Sequence, residues 1–262
     1  MEKVICFTER IYTILKLSDW SDKMYGLTSA QWKQIYHIVD RHRDQIHRVR
    51  LFGSRARGDY HATSDVDLAI ETDQDIRSTL LEEFEQSNLP YTFDIVLYDH
   101  QMSARLRDAI DREGKLLFCV EAGRSVMTAE WIRLKAEDYH RALLRLQTAL
   151  EKEADLDDMY LDATIQRFEF CFELAWKLMK AVLEYEGVDV NSPRSSIREG
   201  WKQGMISDAE AWLDMMEKRN LSSHTYDENV ARDIYHEVRE RHADLLEALD
   251  RRVGSWIVKA SS

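Results

Sequence analysis

The hydrophobic period changes once along this chain, and that change restricts the fold more than any other feature. Up to about residue 120, short apolar runs alternate with helical stretches; from about residue 128 onward the spacing is helical throughout. A chain of 262 residues exceeds one core of ordinary size. The change of period therefore reads as the boundary between an α+β half and an all-α half.

In the first half, TSAQWKQIYHIVDRHRD sets Trp32, Ile35, Tyr36 and Val39 on one helical face behind a Thr28 or Ser29 cap. Three runs follow with the length and composition of strands: RVRLFGS around 48–54, DVDLAIE at 65–71 and YTFDIVLY at 91–98. Between the last two, DIRSTLLEEFEQSN predicts a helix with Ile76, Leu80, Leu81 and Phe84 together. KLLFCV at 115–120 is either a strand or the end of a helix. Residues 1–27 have only weak amphipathic spacing and stand apart as an unassigned N-terminal extension, which leaves a first domain at 28–122.

The second half, 128–253, predicts four or five helices. One carries the stripe Trp131, Leu134, Tyr139, Ala142, Leu146 and Leu150, and the next runs from about Met159 to a stop at Gly187. A short helix starts after Ser192-Pro193, another behind the capping sequence Ser207-Asp208-Ala209-Glu210, and the last spans 227–253. Short connections make this an antiparallel up-and-down bundle.

Charge and cysteine content bound the function. With 36 basic and 48 acidic side chains the net charge is −12, which excludes a whole-surface grip on nucleic acid. Cys6, Cys119 and Cys171 are too few and too scattered for a disulfide framework or a cysteine zinc site. No run of eighteen apolar residues occurs, so a cytoplasmic protein without a membrane span is expected. His37, His42, His47 and His61 lack the spacing of a metal site and read as surface histidines.

The densest cluster of unusual residues is LFGSRARGDYHATSDVDLAI, positions 51–70. Gly53-Ser54 ends a strand and opens a helix, where backbone N–H groups and a hydroxyl can face an anion. Asp65 and Asp67 open the next strand on one face, as Mg²⁺ requires of its few protein oxygens. Asp94 interrupts the apolar strand after that. Singly, these are an ordinary turn, a solvated strand edge and one exposed acid; Arg55 and Arg57 either neutralise phosphate or pair with Asp59 or another surface acid. Their order along the chain is what a metal-assisted nucleotidyl transfer site requires.

The pattern G-S-x10-D-x-D resembles the minimal nucleotidyltransferases of the DNA polymerase β superfamily. The resemblance implies a mixed sheet with flanking helices and two Mg²⁺ ions held by Asp65, Asp67 and Asp94. It also implies that Asp94 helps to deprotonate the acceptor, and that Gly53 and Ser54 hold the β and γ phosphates of ATP.

A second constellation is MEKRNLSSHTYDENV, positions 216–230, where one helix ends and the last begins. Arg219-x4-His224-x-Tyr226 puts a guanidinium, an imidazole and a phenol in one loop and its flanks, groups that suit metal-free RNA cleavage. The plain alternative is that Arg219 balances a helix C-terminus, while His224 and Tyr226 pack. The stretch resembles the R-x4-6-H-x-Y motif of HEPN domains, all-helical bundles of this length. The helix FEFCFELAWKLMKAVLEYEG is closest to the HEPN subgroup of nucleotidyltransferase substrate-binding proteins.

The two modules resemble a fused toxin–antitoxin pair. That resemblance implies transfer of AMP onto Tyr226 of its own or a second chain, Arg219 and His224 as a ribonuclease pair acting on RNA, and a homodimer through the bundle. The alternative is a small-molecule nucleotidyltransferase of aminoglycoside type that uses the bundle to hold its acceptor; it leaves Arg219, His224 and Tyr226 unexplained.

Overall fold

The computed structural model describes residues 23–121, 124–126, 128–151, 158–222 and 228–260. The described chain begins with a hairpin, β1 (Lys23–Met24) and β2 (Leu27–Thr28), closed by Tyr25 and Gly26 at φ 53° and 81°. Two positive φ values in a two-residue loop match the twist of the flanking strands. Met24 and Leu27 are fully buried, and the Met24 carbonyl accepts a hydrogen bond from Trp32 Nε1 at 2.7 Å. The hairpin therefore belongs to the first core, and the N-terminal half starts earlier than position 28.

Helix α1 (Ser29–Asp40) follows behind a Thr28 capping box and buries Trp32, Ile35, Ile38 and Val39. Then come β3 (Ile46–Phe52), the short helix α2 (Gly53–Arg57), β4 (Val66–Thr72), α3 (Arg77–Glu85), β5 (Phe93–Leu97), α4 (Ala104–Glu113), β6 (Lys115–Glu121) and β7 (Arg124–Val126). The strands form one mixed sheet in the order β5-β4-β3-β6-β7. Only β4 and β5 run parallel, joined by the crossover helix α3. KLLFCV is thus a strand. The helix α4 went unpredicted because Ile110 is its one buried side chain.

The second half is helical: α5 (Ala129–Leu150), α6 (Asp158–Tyr185), α7 (Pro193–Lys202), α8 (Ala209–Ser222), α9 (Glu228–Glu237), a π turn (Val238–His242) and α10 (Ala243–Ala260). Central α6 buries Phe168, Cys171, Phe172, Ala175, Leu178, Met179 and Val182, so neighbours cover it on several sides. Gly187, at φ 83°, ends it, with Val188 N–H donating back to the Leu183 carbonyl. Ser192 caps α7, and Asp208 caps α8 by accepting from Ala211 N–H at 2.9 Å. The expected α+β half and helical bundle are both present.

The boundary between the two cores does not fall in the loop before α5. Leu134 is buried in the first core with Trp131 against it, whereas Ile132 and Ala136, on the other side of the same helix, lie in the second. The Trp131 ring stacks on Tyr36 of α1 with centroids 4.1 Å apart. Asp138 collects Lys33, Arg141 and the Ser29 hydroxyl, and Tyr25 donates to Glu130 at 2.8 Å. Trp131 and Leu134 therefore leave the expected bundle stripe, because helix α5 is the shared wall of both cores.

Candidate active site

The antiparallel register sets Phe52, the last residue of β3, opposite Asp67, and the parallel register sets Asp67 opposite Asp94. Asp65 lies two residues before Asp67, on the same face by strand alternation. The three carboxylates thus collect at one end of the central strands. Asp94 projects from the exposed side of β5, between buried Phe93 and Ile95. Strand alternation explains an acid in an apolar run.

Gly53 shapes the site from the other side. Its φ of 71° lies in the left-handed region, and a Cβ there would stand 2.8 Å from Cγ of Asp67 and nearer still to Oδ2. Only glycine lets the turn close onto the carboxylate. Helix α2 has no side-chain cap at Phe52, and among the described residues the half-buried Ser54 hydroxyl has no hydrogen-bond partner. Donors of the α2 turn thus stay available beside the acids.

Burial, together with the negative charge of Asp94 and Asp65, pushes the Asp67 carboxyl above the usual carboxylate range, against the opposing pull of Arg55 and Arg57. Mutual repulsion among hard oxygen donors is what a divalent cation relieves, so the set fits a divalent cation.

Arg55 pairs with backbone carbonyls rather than with Asp59 or another surface acid. It is 1% exposed; its Nε donates to the carbonyls of Ser64 and Asp65 at 3.1 and 2.9 Å, and Nη1 to that of Tyr25 at 3.0 Å. Its guanidinium also lies over the rings of Tyr91 and Tyr60. Those contacts fasten the turn to the start of the Asp-x-Asp strand and to the hairpin, leaving no face of Arg55 for nucleotide. Nothing in the local sequence signals this burial. Arg57 is at the surface, paired with Asp59 and Glu113 at 3.2 Å each.

In the bundle, Arg219 sits in the last turn of α8 with Nη2 2.9 Å from Glu173 Oε1 on α6. Ser222 donates to Glu169 one turn earlier on α6. His224 and Tyr226 lie outside the described residues. Of the surface histidines, His42 and His47 each face a carboxylate at 2.9 Å, Glu83 and Asp73. No helix among the described residues is long and apolar enough to cross a membrane.

The sheet, its glycine turn and its three carboxylates define a nucleotidyltransferase joined to a helical bundle. Two family models agree with that division: Polymerase beta, Nucleotidyltransferase matches residues 33–122, and Nucleotidyltransferase substrate binding protein like matches residues 134–255. A probable ribonuclease HepT from Haemophilus influenzae is 30% identical over 105 residues, covering 37% of this chain and 72% of that protein. The chain belongs to this HepT-like family of nucleotidyltransferase substrate binding proteins, and it carries its own polymerase β-type nucleotidyltransferase domain.

Two solved structures are also similar. A Thermus thermophilus protein is 37% identical, covering 44% of this chain and 97% of its own, with a TM-score of 0.41. A tri-AMPylated Shewanella oneidensis HEPN toxin in complex with MNT antitoxin is 19% identical, covering 47% and 96%, with a TM-score of 0.42.

Proposed function

We propose that the chain transfers AMP from ATP to a protein tyrosine, Tyr226, in its own or a second chain. The observation that carries the reading is the closure of Gly53 onto Asp67, with Asp94 in register beside it. The closeness of the turn to the carboxylates supports a site that takes phosphate and metal together.

In this reading Asp65, Asp67 and Asp94 hold Mg²⁺, which supplies charge neutralisation on the triphosphate and on departing pyrophosphate. The Gly53 and Ser54 turn binds the β and γ phosphates. Arg57, tied only by exposed ion pairs, exchanges Asp59 or Glu113 for phosphate at little cost. The phenol oxygen of Tyr226 attacks the α-phosphorus, its proton passes toward the Asp94 carboxylate, and pyrophosphate leaves.

The helical half is a metal-independent ribonuclease in this proposal, with Arg219 and His224 as its pair, and it acts as a homodimer in the cytoplasm. The HepT relative is described as a probable ribonuclease. AMP on Tyr226 adds negative charge beside a cleft that must accept RNA phosphate, so transfer silences cleavage.

The test is to incubate the full chain with Mg²⁺ and each nucleoside triphosphate in turn, then map added mass by peptide. AMP on the peptide containing Tyr226, abolished by Asp65→Asn with Asp67→Asn, supports the reading. Absence of any protein-bound nucleotide, with transfer to a small acceptor instead, overturns it.

A further inference from the structure

The bundle contains a polar cluster that nucleotidyl transfer does not use. Asp214 on α8, Glu237 at the end of α9 and His242 at the end of the π turn bring one ligand-capable atom each to within 4.8 Å of one another. Among the described residues no other three carboxylates, histidines or cysteines close so tightly.

His242 is completely buried, with its ring parallel to that of Phe168 and Nε2 3.2 Å from Asp214 Oδ2. Its Nδ1 has no hydrogen-bond partner. Glu237 is divided: Oε1 accepts from Lys218 Nζ at 2.9 Å, while Oε2 is buried with no partner. Asp214 and Glu237 both reach solvent, their side chains 39% and 41% exposed.

The backbone is altered where this cluster forms. In an α-helix, residues five apart point about 140° away from each other, so Glu237 and His242 would not share a face. Between them the chain takes one π turn, with Ala243 N–H donating to the Val238 carbonyl five residues back. That winding brings positions five apart onto one side. Such turns are rare and gather at functional sites.

We propose that Asp214, Glu237 and His242 bind one divalent transition-metal cation of the zinc class, tying α8 to the last helix. The donor set selects the metal: one imidazole and two carboxylates suit Zn²⁺, whereas Mg²⁺ and Ca²⁺ prefer oxygen alone. Both carboxylates are partly exposed, so water can complete the coordination. Glu237 keeps Lys218 on Oε1 and offers Oε2, which also ends the isolation of that buried oxygen. The cation braces α8 five residues before Arg219.

The experiment uses the full chain carrying Asp65→Asn and Asp67→Asn, so that the carboxylates of the sheet take up no metal. The protein is equilibrated with Zn²⁺, desalted and analysed for metal per chain; thermal melting and the visible absorption of a Co²⁺-loaded sample are recorded in parallel. One zinc per chain, a melting point raised by several degrees and Co²⁺ d–d bands of a nitrogen–oxygen site are expected.

Adding Asp214→Asn or Glu237→Gln should weaken zinc binding at least tenfold and remove the melting shift, with circular dichroism unchanged. Both positions are partly exposed, so these variants decide the matter even if a His242 variant fails to fold. Zinc content and melting shift unaltered by both substitutions would overturn the site, as would a parent chain that retains no zinc.

Discussion

Gly53 touches Asp67 across the end of the sheet so closely that a single added carbon would overlap the carboxylate. The glycine serves two purposes there: it adopts a left-handed backbone conformation, and it leaves the volume that the aspartate occupies. Loss of either moves the turn away from the acids.

Gly53→Ala is therefore expected to reduce nucleotidyl transfer by about 10²-fold or more, because a displacement of about 1 Å is enough to misalign reacting groups. The left-handed strain should also lower stability by about 1–3 kcal/mol. Transfer of labelled nucleotide and urea unfolding of the same preparation measure the two effects separately.

Asp67→Asn should separate activity from stability. Transfer falls to background, while the metal-free protein melts at the same or a higher temperature, because one of three facing negative charges is gone. The pH dependence fixes the sign. The Asp67 carboxyl is raised in the folded state, so its contribution to stability is present below the unfolded carboxylate pKa and lost as pH rises through the folded value. With chelator present, the stability difference between variant and parent should therefore grow from pH 3 to pH 6; an unchanged difference contradicts it.

Arg55 and Arg57, two residues apart in one short helix, should behave oppositely. Arg55→Gln leaves the carbonyls of Ser64, Asp65 and Tyr25 without their donor and is expected to cost about 2–4 kcal/mol. Arg57→Gln should leave the unfolding midpoint unchanged and raise the KM for ATP. Denaturation curves with nucleotide titrations check both.

His242 gives a pH dependence of the other sign. Burial holds its imidazole below the ordinary value of 6.5, with Asp214 pulling the other way. In chelator, its neutral form contributes full stability above the unfolded value of about 6.5, and this is lost as pH falls toward the folded value, since the unfolded chain takes the proton first. Melting points between pH 7.5 and 5 should drop more steeply for the parent than for His242→Gln.

Some of this was legible in the residues and some was not, for physical reasons. Strands β3, β4 and β5 announce themselves because each buries an apolar run, and Asp65, Asp67 and Asp94 stand out as acids within or beside such runs. The hairpin Lys23–Thr28 is too short to show a period, and α4 buries too little to make a stripe. Arg55 and Arg57 look alike in sequence; only the fold distinguishes a buried clamp from a surface pair. The grouping of Glu237 with His242 is hidden because a regular helix places residues five apart on different faces.

Helix α5 has a consequence for how this polypeptide can be divided. A break in the loop before Ala129, where the pattern of the sequence invites one, would strip the sheet half of the wall formed by Trp131 and Leu134. It would also leave those two side chains bare on the released bundle. Two separately made proteins could reproduce this arrangement only by re-forming that apolar seam on contact. The covalent join thus acts as a permanent docking event, and the halves meet at a fixed stoichiometry regardless of concentration.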